Sequence, residues 1–373
     1  MIVAAGGTVR ATLSRQGCVR RDEVRGLKAA KRVSQATCRM VPRGLSYLEA
    51  VTVNTPSVQD YRHRLSRFVE WAEVNGCSWI TNDELDLLLC EYFDLRFFEG
   101  WTSDEGAKVL AALAYFTAAT NGRTSLTYPR STRALRGWTK IGCPDQRLPF
   151  PLVLLYPVMA DLIFRQMPAH ALCLLVQHNA YLRPGEVCGL RVRQLVAPLD
   201  GAKAPYDQWA VNIAPCDLGR PAKTGMMDES VTIDNLEWAV PLLHTMKAGR
   251  HAEDQLWPFD LAAHGLEFKK SCQAVGIGHL ESTLYSLRHG GASEDYLRRR
   301  RSLEDIQRRG RWRSQASVRR YTKEAKLLAE LHKVDQLVLK YGEFLEEHAL
   351  TLFLRPDTVP SLCQWRRHAQ TRT

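Results

Sequence analysis

Apolar residues recur at steps of three and four through residues 46–125, and each run is bracketed by a polar cap and a glycine. In NTPSVQDYRHRLSRFVEWAEVNG, Tyr61, Leu65, Phe68 and Ala72 fall on one helical stripe. Thr55 reads as the cap, Pro56 takes the first helical position and Gly76 closes the helix. TNDELDLLLCEYFDLRFFEG runs from a polar cap to Gly100, and TSDEGAKVLAALAYFTAATNG from Thr102 or Ser103 to Gly122. A fourth helix around STRALRGWTK completes a small helical bundle over 46–140.

Residues 141–152, IGCPDQRLPFPL, carry three prolines and no period, so they read as a linker. From residue 153 the pattern is strongly apolar and helical, which starts a larger core. QWAVNIAP and ESVTIDN then alternate as short strands flanking CDLGRPAKTGMMD, the tip of a hairpin. Helices return from about residue 237. Within 324–349, apolar positions 327, 331, 334, 338, 341 and 345 predict one amphipathic helix, packed either on its own domain or on a neighbouring protomer. The expected fold is α+β and mostly α: a helical bundle, then a mixed domain over 153–350 with a small antiparallel sheet, and a tail over 351–373.

The chain has 373 residues, 45% hydrophobic and 24% charged, and no apolar run long enough for a membrane helix. A net charge of +11 favours a polyanionic partner, nucleic acid before acidic membrane. Residues 1–45 hold ten Lys/Arg against Asp22 and Glu23, so most of the excess lies in a segment read as a disordered tail that brushes DNA. Its arginine-rich, acid-poor character also fits an organelle-targeting peptide or a truncated start. The ten cysteines are scattered singly with no zinc spacing, which predicts reduced thiols and an intracellular protein, nuclear in a eukaryote and cytoplasmic or nucleoid-associated in a bacterium.

Several residues carry chemistry. In AYLRPGEVCGLRV, Arg183 sits at a helix junction that fixes its guanidinium fork for phosphate, or pairs it plainly with Glu186. AKTG places Lys223 at the hairpin tip. LYSLRHGG puts Arg288 and His289 on a helix start, with Tyr285 one turn earlier and Gly290 and Gly291 admitting a close neighbour. GRWRSQASVRRY sets Trp312 nine residues before Tyr321. Two arginines, a lysine, a hydrogen-bonding ring and a tyrosine, without a carboxylate cluster for a metal, suit metal-free attack of a phenol on a phosphodiester. The phenol's ordinary pKa near 10 requires neighbouring cations.

This order of residues resembles the catalytic domain of the tyrosine recombinase (phage integrase) family, and the bundle is similar to that family's SAM-like core-binding domain; together the resemblance covers about residues 46–345. It implies a clamp on double-stranded DNA, a 3′-phosphotyrosyl intermediate on Tyr321, a free 5′-hydroxyl and strand exchange in a homotetramer, with no cofactor. Arg183 and Arg288 would grip the scissile phosphate, Lys223 would protonate the leaving group, and Trp312 would pack or hydrogen-bond. Tyr285 stands where the family has His, with His289 as an auxiliary. The C-terminal helix, 324–349, becomes the candidate interface between protomers.

Around the nucleophile, Arg298, Arg299, Arg308, Arg309, Arg311, Arg313, Arg319 and Arg320 are expected to contact the DNA backbone, since nearby only Glu304 and Asp305 oppose the run. The reading is a DNA recombinase or integrase of a mobile element or host. Two alternatives remain open: a catalytically inactive DNA-binding descendant, and a type IB topoisomerase.

Overall fold

The computed structural model describes residues 47–50, 52–121, 127–142, 148–199, 201, 203, 206–218, 226–314, 318 and 324–370. The basic segment 1–45, Lys223, Arg319, Arg320 and Tyr321 lie outside the described residues. The chain divides into two compact units at residues 146 and 147, within the stretch read as a linker.

In the first unit, after a helical turn at Tyr47–Ala50, come α1 (Thr55–Val74), α2 (Asn82–Phe98), α3 (Asp104–Asn121) and α4 (Pro129–Ile141). The cap of α1 is Asn54, not Thr55: the Asn54 side chain accepts from Ser57 N at 3.0 Å, and Thr55 is already helical. Thr81 and Glu84 form a reciprocal capping box on α2. Leu65, Phe68 and Ala72 are buried, as their stripe requires, among Leu89, Tyr92, Phe93, Val109 and Trp138. Buried Asp86 accepts from Arg130 N and Ser131 N, each at 2.8 Å, and so fixes the start of α4.

The second unit is built on α5 (Leu152–Phe164), α6 (Pro168–Asn179) and the short α7 (Pro184–Cys188). A sheet follows, of β1 (Leu195–Val196), β2 (Trp209–Ile213) and β3 (Glu229–Ile233), then α8 (Val240–Lys247), α9 (Leu261–Val275), α10 (Leu284–Leu297) and α11 (Leu303–Arg309). The strands are antiparallel in sequence order, with Leu195 opposite Val211 and Val211 opposite Val231. Trp209, Val211 and Ile213 bury one face of β2, the alternation that marked it as a strand. β1 was not anticipated, because two residues are too short to show a period.

α5 is almost wholly buried and packs against α6, α9 and the C-terminal α13. The expected single helix over 324–349 is instead α12 (Glu324–Leu331) and α13 (Gln336–Glu347), separated where Asp335 caps α13 by accepting from Leu337 N at 2.9 Å. Val334, Val338, Tyr341 and Leu345 all enter the unit's own core, so this face is not available as an interface between protomers. Nor does the unit stop at 350. α14 (Ala349–Leu354) and α15 (Leu362–Gln370) follow, and Trp365 stacks on Phe344 at 4.8 Å. Among the described residues, no helix is long and apolar enough to cross a membrane.

Candidate active site

Arg183 stands at the N-cap of α7, where Pro184 starts the helix and removes one unmet donor. Its backbone N–H donates to Glu186 Oε2 at 2.8 Å, and its guanidinium pairs with Glu186 Oε1. The plain pairing expected for this arginine is therefore present, and it also fixes the fork at the edge of the site, with the side chain only 15% exposed.

Arg288, in the second turn of α10, is fully buried. Its terminal nitrogens donate to the backbone carbonyls of Tyr181 and Gly310, and its guanidinium lies 4.7 Å from the centre of the Trp312 ring. Burial, followed by the charges of Arg311 and Arg183, pulls its pKa down to about 10, against the opposing pull of Glu186 and Tyr285. It remains a cation at neutral pH. Arg183, Arg311, Glu186 and Tyr285 thus all lie within electrostatic reach of this one group.

The two glycines after His289 have the role their positions suggested. A Cβ on Gly290 would run into the Phe150 carbonyl, and one on Gly291 into the His178 carbonyl. α10 thus seats directly on backbone, which brings Arg288 to the carbonyl of Tyr181. Gly310 is required for a third close approach, because any Cβ there would occupy the space of the Trp312 ring. Tyr285 and His289, one turn apart and both half-buried, have ring centres 5.0 Å from each other.

The arginine run does not behave as one DNA-facing strip. Arg309, its side chain 8% exposed, donates to Thr232 O at 2.8 Å and pairs with Asp234 at 3.1 Å. Arg311, 6% exposed, pairs with Glu186 at 2.8 Å. Arg298 is paired with Glu346 at 2.8 Å and with Glu294, and Arg301 joins Asp234 and Asp295. The sequence count of opposing acids saw only local ones, whereas most of these carboxylates come from distant segments. Arg299, Arg308 and Arg313 are exposed and remain candidates for a phosphate backbone.

Three contributors were missed or undervalued. Glu186 sits three residues after Arg183, a capping interval that the sequence displays. Burial alone would raise its pKa, but Arg311 and Arg183 prevail and hold it below the ordinary carboxylate value. Glu229, 3.8 Å from Arg311, and the carbonyl of Tyr181 carried no sequence signal, since both arrive through long-range pairing. The structure brings together Arg183, Arg288, Trp312 and Tyr285 with His289 alongside.

This mostly helical unit with its three-stranded antiparallel sheet has an integrase-like fold. The chain matches the Tn1549 transposon integrase, solved in complex with transposon right end DNA, over 82% of this chain and 98% of that one, with 13% identity and a TM-score of 0.52. The XerH site-specific recombinase, in a post-cleavage complex with a palindromic difH substrate, matches over 65% of this chain and 70% of that one, with 13% identity and a TM-score of 0.46. No protein-family model matches the chain, and no curated protein matches it in sequence.

Proposed function

We propose that the protein is a DNA strand transferase that cuts and rejoins duplex DNA through Tyr321. The observation that carries this reading is the buried Arg288 guanidinium, seated against the Trp312 ring with Arg183 and Tyr285 in electrostatic reach, on a fold shared with an integrase. In the reaction, the Tyr321 phenol passes its proton to water and its oxygen attacks the scissile phosphorus. The bond from phosphorus to the 5′-oxygen breaks, leaving a 3′-phosphotyrosyl ester. The departing 5′-oxygen takes a proton from Lys223. Arg183 and Arg288 offset the charge that grows on the non-bridging oxygens. Neither step needs a metal ion or an external energy source, because the ester stores the energy for religation.

One observation favours a second reading, a DNA-binding protein that has lost the chemistry. Arg288 is turned onto two carbonyls beneath Trp312, and a phenol occupies the usual place of a histidine. A duplex nicked next to the cleavage point separates the two. A covalent protein–DNA adduct that disappears in Tyr321→Phe supports strand transfer. Salt-sensitive binding with no adduct on any nicked duplex supports the second reading. Relaxation of random supercoiled plasmid without recombinant product would instead mark a topoisomerase.

A further inference from the structure

No pair of cysteines in this chain has metal-ligand spacing in the linear sequence, yet the fold assembles such a set. Cys173 on α6, Cys188 at the end of α7 and His264 on α9 come from three helices, and their sulfurs and a ring nitrogen all lie within 4.8 Å of one another. All three residues are buried, Cys173 and His264 completely.

The histidine gives the cluster its direction. Its Nδ1 lies 2.8 Å from His170 Nδ1, so a single proton is shared between the two rings. Its Nε2 is buried and has no hydrogen-bond partner. An orphaned polar nitrogen in an apolar core is destabilising unless something meets its lone pair. If His264 Nδ1–H donates to His170, Nε2 carries a free lone pair, which is the orientation that a neighbouring acceptor imposes on a metal-bound imidazole.

We propose that Cys173, Cys188 and His264 form a structural zinc site that ties α7 to α6 and α9. Two thiolates and an imidazole match the soft, tetrahedral preference of zinc. Binding releases the two thiol protons to solvent. At bond lengths of about 2.3 Å to sulfur and about 2.1 Å to nitrogen, the ligand atoms must draw together by roughly 1 Å, a shift within reach of side-chain rotation. Water completes the tetrahedral shell. The site lies at the far end of the five-residue helix that Arg183 begins, so metal there would stiffen the junction carrying Arg183 and Glu186. Zinc binding here does not depend on the chain cutting DNA.

The test uses full-length protein stripped of metal and titrated with Co²⁺ as a spectroscopic probe. The expected result is one equivalent of tetrahedral cobalt with a thiolate charge-transfer band, displaced by Zn²⁺ and lost in Cys173→Ala and in His264→Ala. The double variant Cys216→Ser/Cys363→Ser, which changes two exposed thiols, keeps the spectrum. Because a core variant can misfold, the wild-type protein supplies a second readout: X-ray absorption with one equivalent of Zn²⁺, expected to show two sulfurs and at least one imidazole nitrogen around the metal. An octahedral or absent cobalt spectrum, a zinc shell of oxygen and nitrogen only, or a Cys173–Cys188 disulfide in the isolated protein overturns the site.

Discussion

Arg311 reaches Glu186 at 2.8 Å from a backbone φ of 54°, a left-handed conformation that costs a non-glycine residue roughly 1–2 kcal/mol. The ion pair offsets that strain, because Glu186 is also the partner of Arg183 and both members are largely removed from water. Removing one member of such a buried pair costs roughly 3–5 kcal/mol. Arg311→Ala should therefore lower the thermal unfolding temperature markedly, and Arg311→Gly should recover about 1 kcal/mol of the loss by relieving the backbone. A glycine variant no more stable than the alanine variant would show that the φ value is not a source of strain.

The same pair sets an acid dependence. Glu186 is held below its ordinary pKa of 4.5, so its contribution to stability is complete above that value and is lost as pH falls through the lower, folded value. Glu186→Gln should unfold more readily at neutral pH, and its stability should fall less steeply than the wild type's below pH 4.5. Part of the acid limb will persist, since Glu267, pulled down to about 2 by Lys270 and Arg165, is unaffected. Chemical denaturation at a series of pH values measures both slopes; parallel limbs would refute the assignment.

Arg308 and Arg309 are neighbours in sequence with opposite surroundings, and they should separate cleanly. Arg309 is enclosed by Asn179, Thr232 and Asp234 and lies 5.2 Å from the Tyr181 ring. Arg309→Ala should cost a few kcal/mol of stability. Arg308, its side chain 74% exposed, should be neutral for folding. If Arg308 meets a phosphate, Arg308→Ala should reduce the slope of log binding constant against log salt by about 0.9. Fluorescence anisotropy with duplex DNA over a salt series reads this directly, and an unchanged slope removes Arg308 from the interface.

Gly291 tests how α10 is seated. A methyl group there would meet the His178 carbonyl and the Tyr181 ring, neither of which can yield without moving α6 or the site. Gly291→Ala should cost about 1–3 kcal/mol or more and reduce soluble yield. Gly185→Ala, where a Cβ meets nothing within 4 Å, is the matched control and should be nearly silent.

These contrasts show where the sequence was legible. Local periodicity bounded by caps was enough for α1, α2 and α3, and alternation was enough for β2 and β3, because each has an apolar face long enough to declare its period. The break at Asp335 was hidden because the 4,3 spacing of apolar residues continues across it: Val334 and Val338 face the core on either side. Among site residues, Arg183, Arg288 and the glycines after His289 could be read from helix-junction grammar. Most partners of the arginine run could not, because Glu186, Glu229, Asp234 and Glu346 lie between 48 and 125 positions away and meet it only through tertiary packing. A charge run read along the chain overstates the free charge on the surface.

Tyr285 is the residue on which the proposed chemistry turns. It is half-buried in the first turn of α10, beside His289 and close enough to act electrostatically on Arg288. A phenol can donate to a phosphate oxygen but accepts protons poorly near neutrality, whereas an imidazole with pKa near 6.5 does both. General acid–base assistance is worth roughly 10²- to 10⁴-fold where it operates. Tyr285→His should therefore raise the rate of covalent adduct formation on a nicked duplex by at least about tenfold. Tyr285→Phe should lower it, leaving DNA affinity unchanged. If both variants form adduct at the wild-type rate, Tyr285 takes no part in proton transfer, and His289→Ala becomes the decisive measurement: a lost adduct would assign that task to His289.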